Sequence, residues 1–312
     1  MKKDISKNFH LRDTFFFELY NHFKKGNKKN FIIVTNDFGS PLLDKIIKEY
    51  PKYYLNAGIC EQNIITLSVG LAKEGFRPIV YSIASFLIYR AYEQIKLDML
   101  VHNSPICLLT VGTGYAYDVD GPTHHTTEDL SAIYGLPNIN ILSPHDNKST
   151  KMSFHEINNN TSPYWIRLDR GKFETNNKFK NEKSFFTNFE RNKNLLVITT
   201  GTMLSILHKI KTENDLKFSI LGIYKLKPLD KNRLYNQIKK FDKILILEEH
   251  NEVFGLYSLI NDFLTKLNFR KKIKNIGLKD AHIFKYGKRE SIKKLHGLDD
   301  LKIKDTIIKL LK

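Results

Sequence analysis

Residues 106–114 read Ile-Cys-Leu-Leu-Thr-Val-Gly-Thr-Gly, a short apolar run that stops at two glycines. Runs of the same kind recur at 31–35 and 78–82, and longer stretches with helical spacing separate them. Short β-rich runs that alternate with helical stretches are typical of βαβ units, so the pattern predicts a mainly parallel sheet flanked by helices. Helices are predicted over 13–24, 61–74, 91–101 and 127–134.

The pattern is interrupted between Arg170 and Asn194, where Asn, Lys, Phe and Glu follow one another without a period. We therefore predict a linker at 173–193 that joins a first domain, 1–172, to a second, 194–312. Apolar runs return at 195–200, 218–222, 244–248 and 274–277. The predicted fold class is α/β, with two domains that each contain a mainly parallel sheet. The length of 312 residues suits two domains.

The chain is strongly basic, because 50 Lys and Arg residues stand against 33 Asp and Glu, a net charge of +17. Such a surface suits nucleic acids, acidic partners or phosphorylated metabolites. The basic residues are scattered through Asn- and Lys-rich segments, without an arginine-rich stripe or the aromatic-basic signature of an RNA-binding sheet. The sequence therefore argues against specific nucleic-acid binding.

The apolar runs indicate where the protein resides in the cell, and the cysteines indicate whether it has disulfides or a zinc site. The apolar runs are far shorter than the ~20 residues of a membrane-spanning helix, and the basic start lacks the apolar stretch of a secretory signal. We therefore expect a cytoplasmic protein without a membrane segment. Cys60 and Cys107 are too few and too far apart for a disulfide framework or a zinc ribbon. No metal site is predicted.

Ligands of parallel α/β sheets bind at the carboxyl ends of the strands, so the loops there hold the candidate residues. Asn56-Ala-Gly-Ile-Cys-Glu-Gln-Asn63 puts Glu61 in the first turn of an apolar helix, where the helix dipole favours a carboxylate. Taken alone, Glu61 also fits an ordinary helix-start residue. Ser85-Phe-Leu-Ile-Tyr-Arg-Ala-Tyr92 carries Phe86 and Tyr89, which could stack on a flat heterocycle or pack in the core.

A third loop, Val119-Asp-Gly-Pro-Thr-His-His-Thr-Thr-Glu-Asp129, has a Gly-Pro turn followed by two histidines. His124 can exchange protons near neutral pH or donate to an oxyanion. Its neighbour His125 points in a different direction, so a shared metal is not expected. Farther on, Arg167 and Arg170 fall on opposite faces of a predicted strand. Arg170 suits a phosphate, and Arg167 suits a structural carboxylate partner.

Taken together, these segments resemble the second half of a transketolase. The matching segments are 56–63, 85–94, 120–124, 136–144, 227–230 and 248–250. The resemblance runs essentially end to end and implies a pyrimidine-binding domain followed by a transketolase C-terminal domain. The family's Gly-Asp-Gly and later Asn, which hold the diphosphate and Mg²⁺, do not occur in this sequence.

The resemblance therefore implies the C-terminal subunit of a split transketolase. A separate N-terminal subunit would carry the Mg²⁺ and the diphosphate of thiamine diphosphate, and the two kinds of subunit would associate into a heterotetramer. This chain alone is expected to be inactive. With its partner it would transfer a two-carbon ketol unit from a ketose to an aldose.

The resemblance assigns cofactor roles to four residues. Glu61 is expected to hydrogen-bond the aminopyrimidine ring of thiamine diphosphate, for which its carboxyl group must hold a proton, and to act in catalysis. Phe86 and Tyr89 would stack on the pyrimidine. Asp37 would line the cofactor channel.

The resemblance also implies a set of substrate contacts. His124 would be catalytic and would stabilise the carbonyl oxygen. Asp120 would bind the neighbouring hydroxyl group, and Arg12 and Arg170 would bind a sugar phosphate. Relatives place a phosphate-binding His or Arg where this chain has residues 112–114, Gly-Thr-Gly, which carry no charge. That departure predicts weaker phosphate binding and suggests a non-phosphorylated or nucleotide-linked sugar as the substrate. The net charge of the chain favours a phosphorylated substrate instead.

Three other functions stay open at this point. The beta chain of a 2-oxoacid dehydrogenase shares the two-domain layout and also needs a second chain. Deoxyxylulose-phosphate synthase is a further relative, but its chain normally keeps both halves together. The basic charge also allows a non-catalytic binding protein.

Overall fold

The computed structural model of the chain describes residues 10–173, 179–191, 194–284 and 286–312. These residues form one sheet of seven strands and one of six, with helices against both. Most neighbouring strands run parallel. The α/β fold class predicted from the alternation of strands and helices is confirmed.

The first sheet is built from β1 (Phe31–Thr35), β2 (Tyr54–Asn56), β3 (Arg77–Ile83), β4 (Cys107–Val111), β5 (Asn140–Leu142), β6 (Tyr164–Leu168) and β11 (Lys225–Lys227). Across the sheet their order is β11-β5-β6-β4-β3-β1-β2. The central strands β1, β4 and β6 are buried at every residue. Burial on both faces is why these strands read as continuous apolar runs in the sequence.

The helices of the first half are α1 (Leu11–Lys24), α2 (Pro41–Glu49), α3 (Glu61–Lys73), α4 (Ala84–Arg90), α5 (Tyr92–Gln94), α6 (Asp129–Ile133) and α7 (Asn147–Asn159). Short 3-10 helices lie at Pro51–Tyr53 and Asp118–Asp120, and a π-helix at Ile95–Val101. Ser40 caps α2 by accepting a hydrogen bond from the Leu43 amide. Asp146 and Ser149 form a reciprocal capping box at the start of α7.

The second sheet is built from β7 (Lys180–Glu182), β8 (Phe185–Asn188), β9 (Leu195–Thr200), β10 (Ser219–Ile223), β12 (Lys243–Asn251) and β13 (Lys272–Leu278). Its order is β13-β12-β9-β10-β8-β7, and the pairs β10–β8 and β8–β7 are antiparallel. Its helices are α8 (Met203–Glu213), α9 (Lys231–Ile238), α10 (Leu256–Lys266), α11 (Arg289–Leu295) and α12 (Asp300–Leu311).

The two halves of the chain are joined by strand pairing as well as by their covalent connection. Strands β7 and β8 lie within 173–193, the segment predicted from the sequence as a linker, and they extend the second sheet. Strand β11 belongs to the second half of the chain but pairs with β5 at the edge of the first sheet, Lys225 opposite Leu142. The domain boundaries at 172 and 194 remain a prediction.

The buried apolar side chains form two clusters, and each draws on both halves of the chain. One cluster includes Phe15 and Phe31 together with Val197. The other includes Trp165 together with Ile246. None of the described helices is long and apolar enough to cross a membrane.

Candidate active site

The candidate residues collect at one edge of the first sheet. Strands β6, β4, β3 and β1 are adjacent and parallel, so their carboxyl ends open on the same side. Asp37 follows β1, the 84–90 helix α4 follows β3, the 112–124 loop follows β4, and Arg170 follows β6. The parallel order of these strands therefore brings together residues that lie far apart in the sequence.

Glu61 is buried at the first residue of α3, with only 5% of the residue exposed. Its Oε1 accepts hydrogen bonds from Asn36 Nδ2 at 3.1 Å and from Arg90 Nη1 at 2.8 Å. The helix dipole favours a carboxylate at this end of α3. Beside it, Asn36 Oδ1 is buried and has no hydrogen-bond partner among the described residues.

Arg90 lies between Glu61 and Phe86. Its guanidinium carbon stands 4.1 Å from the centre of the Phe86 ring while Nη1 pairs with the Glu61 carboxylate. The planar guanidinium of Arg90 thus stacks on Phe86 and pairs with Glu61, the two contacts that the resemblance predicts for the aminopyrimidine ring of the cofactor. The sequence motifs assign no role to Arg90, although its position four residues after Phe86 puts both on one side of a helix.

His124 stands at the other side of Phe86, with 4.8 Å between the ring centres. Its Nδ1 lies 2.9 Å from the Thr123 hydroxyl, which leaves Nε2 as the ring nitrogen that can face a ligand. The turn that carries it is fixed at Gly121, whose φ of +75° suits glycine, and by a hydrogen bond from Thr123 Oγ1 to the Asp120 carbonyl. The Asp120 side chain is exposed on the same turn.

Arg12 and Arg170 lie on neighbouring segments, because the Leu11 amide donates to the Gly171 carbonyl at 3.1 Å and joins the start of α1 to the segment after β6. Arg170 is exposed and its guanidinium lies 4.9 Å from the centre of the Tyr117 ring. The local field is mainly positive: burial lowers the pKa of His10, the charges of Arg12, Lys172 and Arg170 lower it further, and the charge of Asp13 opposes them. Such a field favours an anion.

The remaining two predicted cofactor residues lie farther out. Asp37 is exposed and has a backbone φ of +61°. Its Oδ1 accepts a hydrogen bond from Asn56 Nδ2 at 3.1 Å. Tyr89 is 39% exposed and donates its hydroxyl proton to Glu128 Oε2 at 3.1 Å. Its ring lines a cavity of about 230 Å³ together with Tyr115 and His125. The structure thus connects Glu61, Phe86 and His124 in one row, with Arg90 between the first two, and places Tyr89 and Asp37 outside that row.

The second half of the chain supplies Arg289, which no sequence motif singles out. Its guanidinium donates to both Asp169 oxygens at 2.8 Å and, through Nε, to Glu249 Oε1 at 2.8 Å. Burial alone would lower the pKa of Arg289, but the two carboxylates outweigh it and raise the pKa well above its ordinary value. The Arg289 amide also donates to Asp118 Oδ2 at 2.7 Å.

This network reaches both substrate-facing segments. Asp169 directly precedes Arg170, and Asp118 begins the turn that carries Asp120 and His124. Glu249 Oε1 also accepts from the Tyr115 amide at 3.0 Å, in the same loop. The second domain therefore fixes the backbone from which the candidate substrate contacts project.

The donor set beside Glu61 fits an aminopyrimidine. A buried carboxyl group, the free acceptor Asn36 Oδ1 and the half-buried Phe86 ring offer hydrogen bonds to the edge of such a ring and an apolar face to its plane. In the described part of the chain, no group of three or more His, Cys, Asp or Glu side chains could hold a metal ion.

Two protein families match the chain. "Transketolase, pyrimidine binding domain" matches residues 24–175 and "Transketolase, C-terminal domain" matches residues 188–303. Among individual proteins, a 1-deoxy-D-xylulose-5-phosphate synthase of Halothermothrix orenii is 29% identical over 275 residues, which cover 85% of this chain and 42% of that protein. One subunit of an apulose-4-phosphate transketolase of Actinobacillus succinogenes is 26% identical over 283 residues, covering 89% of this chain and 91% of that polypeptide.

Solved structures share the fold. A split-gene transketolase described as an inactive beta4 tetramer superposes with a TM-score of 0.82 and 20% identity, over 97% of this chain and 98% of that one. A transketolase of Campylobacter jejuni gives a TM-score of 0.79 at 16% identity, over 97% of this chain and 47% of that one. The chain spans about half the length of the 1-deoxy-D-xylulose-5-phosphate synthases that it matches.

Proposed function

Because the chain belongs to the transketolase family, we propose that it is the C-terminal subunit of a two-subunit transketolase. In this proposal the assembled enzyme depends on thiamine diphosphate and transfers a two-carbon ketol unit from a ketose to an aldose. The observation that carries the proposal is the row of Glu61, Phe86 and His124 at the carboxyl edge of the first sheet.

Glu61 binds and orients the cofactor in this proposal. Its buried carboxyl group hydrogen-bonds a pyrimidine ring nitrogen and exchanges a proton with it, while Phe86 supports the ring face. Arg90 must leave both contacts for the ring to enter, since it makes them itself in the chain alone. When bound, thiamine diphosphate supplies the nucleophilic carbon that takes up and releases the two-carbon unit.

His124 and Asp120 act on the substrate. With Nδ1 held by Thr123, His124 presents Nε2 to the substrate carbonyl oxygen. When both ring nitrogens carry protons, Nε2–H donates to that oxygen and stabilises the charge that develops there. Asp120, exposed on the same turn, accepts a hydrogen bond from the adjacent hydroxyl group. Arg12 and Arg170 bind the far end of the sugar, which their shared positive field suits.

A separate N-terminal subunit completes the proposed enzyme. It would hold Mg²⁺ and the diphosphate, for which this sequence has no Gly-Asp-Gly segment, and the assembly would be a heterotetramer in the cytoplasm. Support comes from the apulose-4-phosphate transketolase of Actinobacillus succinogenes, one subunit of which this chain covers almost completely.

The experiment is to co-express the chain with its candidate partner and to measure ketol transfer for the wild type, Glu61→Gln and His124→Ala. We expect Glu61→Gln to fold normally and to lose most of the activity, on the order of 10²-fold or more, as for the loss of a general acid–base group. Near-normal turnover in that variant would remove Glu61 from the mechanism. His124→Ala should impair donor turnover more than thiamine diphosphate binding, and equal loss of both would contradict its assigned role.

The relatives named as 1-deoxy-D-xylulose-5-phosphate synthases favour a second candidate, condensation of a 2-oxoacid-derived unit with an aldose phosphate. Donor choice separates the candidates: turnover of a ketose supports the transketolase, and turnover of pyruvate supports the synthase. Pyruvate decarboxylation without an aldose acceptor would instead support the beta chain of a 2-oxoacid dehydrogenase.

A further inference from the structure

Tyr117 is a buried tyrosine in the middle of the positively charged end of the site. Only 7% of the residue is exposed, and its hydroxyl has no hydrogen-bond partner among the described residues. Buried hydroxyl groups are rarely left unpaired in native proteins, so each such group needs an explanation. The explanation lies in the groups that surround it.

Two arginines act on the Tyr117 side chain. The Arg170 guanidinium lies 4.9 Å from the ring centre. Burial raises the pKa of the Tyr117 hydroxyl, the charges of Arg12 and Arg170 lower it, and the charge of Asp120 raises it, so two cations and one carboxylate lie within electrostatic reach. Guanidinium groups donate hydrogen bonds and accept none. Neither arginine can therefore accept the Tyr117 proton, and the Asp120 carboxylate makes no hydrogen bond to this hydroxyl, so an acceptor on a bound ligand would satisfy it.

The ring is held in this place by its backbone surroundings. A Cβ atom at Gly112 would lie 2.3 Å from Tyr117 Cε2, so the ring packs edge-on against the glycine backbone and a larger residue at 112 would displace it. Gly112 also has a φ of +109°, which disfavours other residues. The Tyr117 ring also lies next to His124, with 5.9 Å between the ring centres and 51° between the ring planes. Tyr117 thus stands between the candidate catalytic histidine and the candidate phosphate arginines.

We propose that Tyr117 is a specificity-determining residue that donates its hydroxyl proton to an oxygen of a substrate phosphate held by Arg12 and Arg170. The proposal rests on the proposed function for the role of the site. It also accounts for the uncharged 112–114 segment: the small glycine at 112 makes room for a neutral donor in place of a charged one.

The first experiment needs only the full chain, because all three residues belong to it. Inorganic phosphate is titrated into the wild type, Tyr117→Phe and Tyr235→Phe, and binding is followed by calorimetry. Tyr235, on α9, is the matched control, since the Lys239 ammonium group lies 5.6 Å from the centre of its ring. We expect Tyr117→Phe to weaken phosphate binding roughly tenfold, the usual effect of losing one hydrogen bond to a charged group, and Tyr235→Phe to leave it unchanged.

The second experiment uses the assembled enzyme with xylulose 5-phosphate and with xylulose. Tyr117→Phe should raise KM for the phosphorylated ketose roughly tenfold with little change in kcat, and should leave KM for xylulose unchanged. Gly112→Ala should have the same selectivity, because it displaces the ring.

The outcomes separate this proposal from the proposed function. Unchanged phosphate affinity in Tyr117→Phe, or an equal rise in KM for both ketoses, overturns the role of Tyr117 even if the enzyme is a transketolase. Tyr117-dependent phosphate binding without turnover of any ketose would keep the phosphate site and refute the proposed activity.

Discussion

Removing the Arg289 side chain is expected to weaken the whole fold as well as the site. The change we consider is Arg289→Met, which keeps much of the apolar stem and removes the guanidinium. Three charge-assisted hydrogen bonds disappear, two to Asp169 and one to Glu249. The two carboxylate side chains that remain are only 2% and 5% exposed, so water cannot easily replace the lost partner.

The size of the expected change in the free energy of unfolding follows from the burial of these two carboxylates. Breaking a buried ion pair by removing one partner costs about 3–5 kcal/mol, because a charge is left unpaired in a poorly solvated place. Arg289→Met should therefore lower the free energy of unfolding by about that amount. Arg289→Lys should recover only part of it, since an ammonium group cannot reach three acceptors in the fork geometry of a guanidinium.

The assay is chemical denaturation of the full chain at pH 7, with Lys209→Met as the control. Lys209 pairs with Asp300 at 3.4 Å, but the two side chains are 58% and 41% exposed, so its loss should cost less than about 1 kcal/mol. Removing Arg289 in an Asp169→Asn background should cost less than in the wild type, because the partner charge is already absent. A loss below about 1 kcal/mol, or an equal loss in both backgrounds, would refute the reasoning.

Two further predictions concern a buried histidine and the contact at Glu61. Burial lowers the pKa of His145 to about 4. Between pH 6.5 and 4 the folded protein therefore binds fewer protons at this residue than the unfolded protein does. The free energy of unfolding should fall by at most about 3 kcal/mol as the pH falls through that window. Denaturation at pH 7 and pH 4 should show a smaller loss for His145→Gln than for the wild type, and an unchanged loss for the exposed control His155→Gln. Arg90→Gln should tighten thiamine diphosphate binding to the assembled enzyme by up to about fivefold. The reason is that the ion pair between the half-exposed Arg90 and Glu61, worth about 1 kcal/mol or less, no longer competes with the cofactor for Glu61. Weaker binding would show that Arg90 supports the cofactor instead.

Strands buried on both faces were the most accurately predicted elements. The predicted runs at 31–35 and 195–200 have the same bounds as β1 and β9. Helix α7 escaped prediction because three of the five residues on its buried face, Ser149, Thr150 and Ser153, are polar, and only Phe154 and Ile157 are apolar. Strand β11 escaped it because Lys-Leu-Lys is short and its partner β5 lies far away in the sequence.

The candidate site shows the same limit. Motifs with local spacing brought Glu61, Phe86 and His124 to attention, and the expected carboxylate partner of Arg167 is confirmed as Asp129, at 2.6 and 2.9 Å. The role of Arg289 depends on Asp169, 120 positions earlier. No local pattern connects two such residues, since only the packing of the two sheets brings them together.

Strand β11, which belongs to the second half of the chain but pairs with the first sheet, limits where the protein can be truncated. A fragment that ends before residue 225 would leave β5 without its outer neighbour, so a row of backbone amides and carbonyls would be open to any extended peptide. Such a fragment would tend to aggregate through that edge. Truncated forms intended to isolate the pyrimidine-binding half should therefore keep residues 225–227 or replace them with another capping strand.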